Sequence, residues 1–281
     1  MVFIISTVGA VLGYLVQMLL ARWLGSTDFG AYRYALTWCA LLTGFSLLGF
    51  SASGARFISQ YIHDEAPQKL KGFLIGSTAL VLAAAALIAA LGIAFVLLFP
   101  KASESLYAGP MIIALIGVPG LALLDLQKSN LRAFRWALVA EIPPALGRPI
   151  IMITLVTLCY FTFPVLTPTI VAGAFVATLV IVALFQAILF RRKLRVEIES
   201  APPSFDFKEW LGVSLPMFYG RVFQLVSRRA DLILIGLMLE PADVGIYAIA
   251  QSVTGLISLS NVSVVAYARP TIASMYLRDR R

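Results

Sequence analysis

Charge is what this chain has least of. Lys, Arg, Asp and Glu together make up 13% of its 281 residues against 60% hydrophobic ones, too little polar surface to coat a soluble globule. A mean hydropathy of +0.91 points the same way, into a bilayer. Histidine occurs once, at His63, where Asp64 and Glu65 beside it suggest a solvated position. Cysteine occurs twice, at Cys39 and Cys159, far apart and each inside an apolar run. That scarcity argues against a metal site or a disulfide frame and reads both cysteines as small packing residues. No glycine-rich phosphate cradle is present and the connections on one side are short. A membrane-embedded glycosyl- or acyltransferase, which needs carboxylates or histidine in a sizeable loop, therefore has little to build on. No catalytic residue, metal or cofactor is expected.

What is there in quantity is apolar sequence in long runs. A helix that crosses a bilayer needs roughly 20 mostly apolar residues. Val2 to Ala21, Tyr34 to Ala55, Gly72 to Pro100, Ser105 to Leu124 and Val244 to Ala268 all qualify. Pro149 to Phe190 is too long for one helix, and Thr162, Phe163, Pro164, Thr167 and Pro168 supply a turn that makes it two. Leu211 to Leu239 is the remaining candidate, interrupted by charges, with an interfacial helix as its alternative. The expectation is an all-α polytopic membrane protein of about eight transmembrane helices. The opening MVFIISTVGAVLGYLV has no basic leader and no small-residue cleavage motif, so it reads as a retained first span.

Basic residues set the orientation. Numbering the spans in order, the connections after spans two, four and six and the tail after span eight hold most of the 22 Lys and Arg. These are Arg56, Lys69 and Lys71; Lys128, Arg132 and Arg135; Arg191, Arg192, Lys193, Arg195 and Lys208; and Arg269, Arg278, Arg280 and Arg281. The odd connections hold only Arg22 and Lys101. The positive-inside bias puts the even connections and both termini in the cytoplasm. The net charge of +8 is then a basic rim facing anionic lipid, with no nucleic acid required.

The chain also repeats itself. LGSTDFGAYRYA, from Leu24, is echoed by LEPADVGIYAIA, from Leu239, so that Leu24, Asp28, Gly30, Tyr32 and Ala35 pair with Leu239, Asp243, Gly245, Tyr247 and Ala250 at one offset. Ser59 and Tyr61 fall on Ser274 and Tyr276 at the same offset. A duplicated hairpin predicts two similar lobes, and paired lobes about a cavity are how many transporters alternate access. The division is residues 1–190 as a six-helix lobe, 191–210 as a cytoplasmic linker, and 211–281 as the first two helices of a second lobe. The linker, RRKLRVEIESAPPSFDFKEW, suggests an interfacial segment around Phe205, Phe207 and Trp210. A complete second lobe would need four more spans after Arg281. The chain thus reads as a fragment or a truncated product, which leaves open whether it transports alone.

Ionisable groups at membrane depth are costly and mark functional sites. In span seven, at about 100° per residue, Ser214, Arg221, Gln224, Arg228 and Asp231 share roughly a third of the helix circumference, with Arg229 on the flank. Arg228 and Asp231 are spaced to pair with each other. Arg221 and Arg229 have no acid within helical reach, and their guanidinium donors suit a multivalent oxyanion such as phosphate. Arg148 follows Pro143 and Pro144, with Glu141 seven residues earlier on the same face. It and Arg33 are further cavity candidates, with snorkelling to the interface as the alternative for both. Asp125 is a candidate ion or proton site, although Lys128, three residues on, offers it a local salt bridge.

The segment ARWLGSTDFGAYRYALTWCALLTGFSLLGFSASGARFISQY resembles the first hairpin of polysaccharide and O-antigen flippases of the multidrug/oligosaccharidyl-lipid/polysaccharide exporter superfamily. LGVSLPMFYGRVFQLVSRRADLILIGLMLEPADVGIYAIAQSV is similar to the start of their second lobe, and LRAFRW to their cytoplasmic turn between spans four and five. The resemblance covers nearly the whole chain. It implies two six-helix lobes around a central cavity, moving undecaprenyl-pyrophosphate-linked oligosaccharide across the bacterial inner membrane for O-antigen and other surface polysaccharides. On that implication Arg221, Arg228 and Arg229 hold the pyrophosphate while the prenyl tail stays in lipid. The partners would be the lipid-linked oligosaccharide, membrane lipids, and a polysaccharide polymerase or other assembly proteins. The chain departs from the pattern in lacking the last four core helices. The alternatives are a drug/cation antiporter of the same superfamily, which would prefer acidic cavity residues, and a non-transporting remnant.

Overall fold

The computed structural model describes residues 1–99, 105–198 and 202–255, and among them no strand occurs. The first two apolar runs are helical almost without interruption, as α1 (Val2–Ser46) and α2 (Phe50–His63). As one rod they would extend about 90 Å, some three bilayer cores. Gly25 prevents this. Its backbone (φ 79°, ψ 172°) is one that a side chain disfavours, and the chain doubles back there. Gly13 and Val16 before the turn and Tyr32 and Leu36 after it line one cavity.

A second break corrects the expected span Tyr34–Ala55, which is two helical pieces. Leu48 (φ 48°) and Gly49 (φ 82°) are both left-handed and separate α1 from α2. The Oγ atoms of Ser53 on α2 and Ser214 are hydrogen-bonded at 2.7 Å. A third run behaves as expected and forms α3 (Pro67–Leu98), with proline in its first turn, where the missing N–H costs nothing.

The expected span Ser105–Leu124 is instead a bent pair, α4 (Ala108–Ile116) and α5 (Val118–Ala133), meeting at 42°. Pro119 explains the bend, because it has no N–H to give the carbonyl four residues back. The fifth span starts at Ala137 rather than at Pro149. Its α6 (Ala137–Ile142) passes through a π-turn at Pro143–Gly147 into α7 (Arg148–Thr162). Three prolines, Pro143, Pro144 and Pro149, widen this helix without ending it. The turn expected around Thr162–Pro168 then leads to α8 (Pro168–Ile198).

Among the described residues four helices are long and apolar enough to cross a membrane, five if the bent pair counts as one span. The first of these, Val2–His63, contains the reversal at Gly25. The protein is an all-α polytopic membrane protein.

Leu211–Leu239 is also broken. α9 (Phe207–Ser227) ends before Arg228, and α10 (Ala230–Met238) starts after Arg229. A further helix, α11 (241–255), carries the second repeat. The remainder of span eight, the partners Ser274 and Tyr276, the tail arginines and Lys101 lie outside the described residues.

The start of α9 places one of the three residues expected at an interface, Trp210, inside the protein. Asp206 caps the helix by accepting from the Glu209 N–H at 3.2 Å. Trp210 is fully buried, donates its Nε1–H to the Tyr61 hydroxyl at 3.0 Å and stands edge-on to Phe73 at 5.5 Å. Phe205 and Phe207 remain exposed. The Ser204 N–H donates to the Gln68 carbonyl at 3.0 Å, so the end of the linker is fastened to the first lobe.

Trp210→Ala should therefore destabilise the folded protein by about 3–5 kcal/mol. Tyr61→Phe, which removes only the hydrogen bond, should cost about 0.6 kcal/mol. Thermal unfolding in detergent measures both. Equal losses would show that the hydrogen bond, and not the aromatic packing, holds the linker.

Candidate functional site

A cavity of about 430 Å³ opens between both limbs of α1, the C-terminal half of α5, the π-turn and α8. The π-turn sets its wall. Pro149 offers no N–H to the Ala145 carbonyl, and the helix widens there. The first limb of α1 closes onto the same carbonyl through Gly9, where any Cβ would overlap Ala145. Turns of this kind recur at functional sites.

The cavity lining is cationic. Arg33, Lys128, Arg132 and Arg148 face it, against Glu141 as the one lining carboxylate. Glu141 is the buried member of a three-way cluster, its side chain 4% exposed, where Lys128 is 29% and Arg132 56% exposed. Lys128 Nζ sits 3.0 Å from Glu141 Oε2, and Arg132 Nε donates to Oε1 at 2.8 Å. Arg148 lies over the ring of Phe175, 4.9 Å from its centroid, which holds the guanidinium by a cation–π contact. Arg33 Nε and Gln17 Oε1 are buried without a hydrogen-bond partner.

The expected site residues are distributed as follows. Arg33 and Arg148 line this cavity. Arg229, expected to have no acid in reach, lies within electrostatic range of Asp231 as well as of Arg33, Arg148 and Asp125, and Asp125 is solvent-accessible yet surrounded by Arg148, Lys128 and Arg229. The expected Asp125–Lys128 bridge is corrected, because Lys128 pairs with Glu141. Glu141 and Arg148, expected on one face, both line this cavity, on either side of the π-turn.

Arg221 belongs elsewhere. It lines a second cavity of about 110 Å³ with Gly44, Leu47, Gly49 and Phe218, at the break between α1 and α2. Gln224 and Arg228 are exposed. Asp231 does not pair with Arg228. Its Oδ2 accepts from the Tyr247 hydroxyl at 2.7 Å and from Gln251 Nε2 at 3.0 Å. The single polar stripe expected along span seven is therefore cut at Ser227–Ala230, and Ser214 is buried against Ser53.

Sequence reasoning missed Gln17, Phe175 and the role of Lys128 and Arg132 as partners of Glu141. The last was within reach. Lys128 and Arg132 are four apart on one helix face, and the short LRAFRW turn returns the chain so that Glu141 meets both. Among the described residues no group of three or more His, Cys, Asp or Glu could hold a metal ion.

The cluster gives an asymmetric prediction. Glu141→Gln leaves two part-exposed cations that water can solvate, and should cost only about 1 kcal/mol. The double substitution Lys128→Met with Arg132→Met strands a buried carboxylate and should cost about 3–5 kcal/mol. Stability measured in detergent decides. A larger loss for Glu141→Gln would reverse the assignment of which partner is desolvated.

Comparison with known proteins places this geometry. The family model described as polysaccharide biosynthesis protein matches residues 1–276. Among solved structures, the MATE multidrug transporter DinF-BH superposes with a TM-score of 0.64 at 16% identity. The match covers 92% of this chain and 60% of that one, and at such identity the likeness is one of fold. No curated protein sequence matches significantly. With nearly its whole length matched by the family model, the chain belongs to the polysaccharide biosynthesis protein family.

Proposed function

We propose that this chain belongs to an exporter that moves undecaprenyl-pyrophosphate-linked oligosaccharide across the bacterial inner membrane, by rocking of two lobes that exposes the cationic cavity to either side in turn. One observation carries the reading. Four cationic side chains line a cavity against a single carboxylate, which two of them already neutralise. Arg33 and Arg148 are left with donors to spare.

A pyrophosphate diester is a dianion with several acceptor oxygens. Guanidinium groups grip such oxygens in pairs, whereas a lysine acts as a point charge. The volume, about 430 Å³, suits a headgroup but not a polyprenyl chain, which would remain in lipid. Arg229, within range of Arg33 and Arg148, would add a donor from the second lobe. Arg221, Gln224 and Arg228 would supply further polar surface along the same helix pair. In this reading the basic connections and both termini are cytoplasmic. The partners are the lipid-linked oligosaccharide, surrounding lipids and polysaccharide assembly proteins, and no residue needs to perform catalysis.

A drug/cation antiporter would have to centre on Asp125. Three cations around that carboxylate disfavour a second, mobile cation.

The test uses the complete protein in cells. Arg148→Ala and Arg33→Ala should each abolish surface polysaccharide with membrane insertion intact, since losing one partner of a desolvated charge contact costs about 2–5 kcal/mol. Arg148→Lys should recover part of it. Arg221→Ala in the same assay reports on the second lobe. Normal polysaccharide in both Arg33→Ala and Arg148→Ala would sink the assignment of the cavity.

A further inference from the structure

The two copies of the repeated motif touch each other, and they do so reciprocally. A Cβ built on Gly30 would overlap the Pro241 carbonyl oxygen and come within 2.9 Å of the Gly245 nitrogen. A Cβ on Gly245 would overlap the Ser26 carbonyl oxygen and come within 3.3 Å of the Gly30 nitrogen. In the repeat, Gly30 corresponds to Gly245 and Ser26 to Pro241. Each glycine therefore meets the counterpart of the residue that the other glycine meets, which is the pattern a two-fold relation imposes on an interface.

The seam is tight and main-chain in character. Both glycines are buried, and so are Phe29 and its counterpart Val244, each with no exposed surface. Close backbone approach of this kind is available to helices in a membrane only through small residues. A third contact lies beside it, where the ring of Tyr34 covers Gly236 of α10. The crossing sits just past the Gly25 reversal, at the end of the hairpins away from the basic connections.

We propose that the Gly30–Gly245 crossing is a seal between the two repeat hairpins, which closes the space between the lobes on the side of the hairpin tips and must part for the cavity to open there. A side chain at either glycine acts as a wedge. The assignment of this side as external rests on the orientation proposed above; the seal itself rests on the contact.

The experiment reads accessibility, not transport, so its failure is separable from failure of the arginine assignments. In the complete protein Cys39 and Cys159 are replaced by serine and Gln17, which lines the cavity, by cysteine. A membrane-impermeant maleimide is added to the outside of intact cells. Gly30→Leu and Gly245→Leu should each raise the labelling rate by about five-fold or more, the lower range for overpacking a tight contact. The double variant should add little to the larger single effect, because both wedge one contact. Gly212→Leu, at a glycine with open space around it, should leave the rate unchanged. If the leucine variants fail to reach the membrane, Gly30→Ala and Gly245→Ala carry the test, with a smaller rise in the same direction. Unchanged labelling in inserted alanine variants would overturn the proposal, as would an equal rise for Gly212→Leu.

Discussion

In hydrocarbon no water is available to satisfy a stray backbone group, so every interruption of a transmembrane helix has to be covered by protein or to face a water-filled space. This chain interrupts its helices repeatedly, at Gly25, Leu47–Gly49, Gly117, Pro143–Gly147 and Ser227–Ala230. Two of these breaks line cavities. The π-turn forms one wall of the larger cavity, and the break at Leu47–Gly49 lines the smaller. The break after Ser227 carries Arg228 and Arg229, and brings Arg229 within range of the first lobe's arginines. At the π-turn a broken helix and buried charge thus share one cavity.

The pattern of apolar runs made the outline of the fold legible. Runs of the required length between Gly72 and Pro100 and between Pro149 and Phe190 correspond to α3 and to the α7–α8 pair, and the Pro164–Pro168 turn lies where composition placed it. What composition could not convey was where helices bend. Pro119 bends a span, whereas Pro216 lies within α9 and leaves it continuous. Leu48, with a side chain, takes a left-handed conformation that nothing in its local sequence demands. Trp210 has the amphipathic setting of an interfacial anchor, yet the Tyr61 hydroxyl and the Phe73 ring, far away in sequence, give it a better-satisfied place inside. Long-range partners of this kind leave no local mark.

The site was partly legible for a related reason. Counting charges in apolar runs found Arg33 and Arg148, because a cation at depth is anomalous wherever its partner lies. The pairing errors came from assuming regular helix. Asp125 and Lys128 are correctly spaced to pair, but Lys128 has a better partner across the turn in Glu141, which two cations share. Arg228 and Asp231 are also correctly spaced, until a break between them sends the carboxylate to Tyr247 and Gln251. Local spacing ranks pairs only when the helix runs through both residues and no third group competes.

The duplication links these levels. Two copies of one hairpin, placed in one protein, inherit the same surface, and a surface that packs against its own copy must do so reciprocally. Glycine at the centre of that surface is then needed twice, once in each copy, which is how Gly30 and Gly245 stand at one offset and in one contact. The arginines are not duplicated in this way. Arg33 corresponds to Ala248 and Arg229 to Tyr14, so the two copies share their packing surface but differ in the charges they carry. A main-chain seam can therefore remain symmetric while the cavity beside it carries a charge, Arg33, that only one copy supplies.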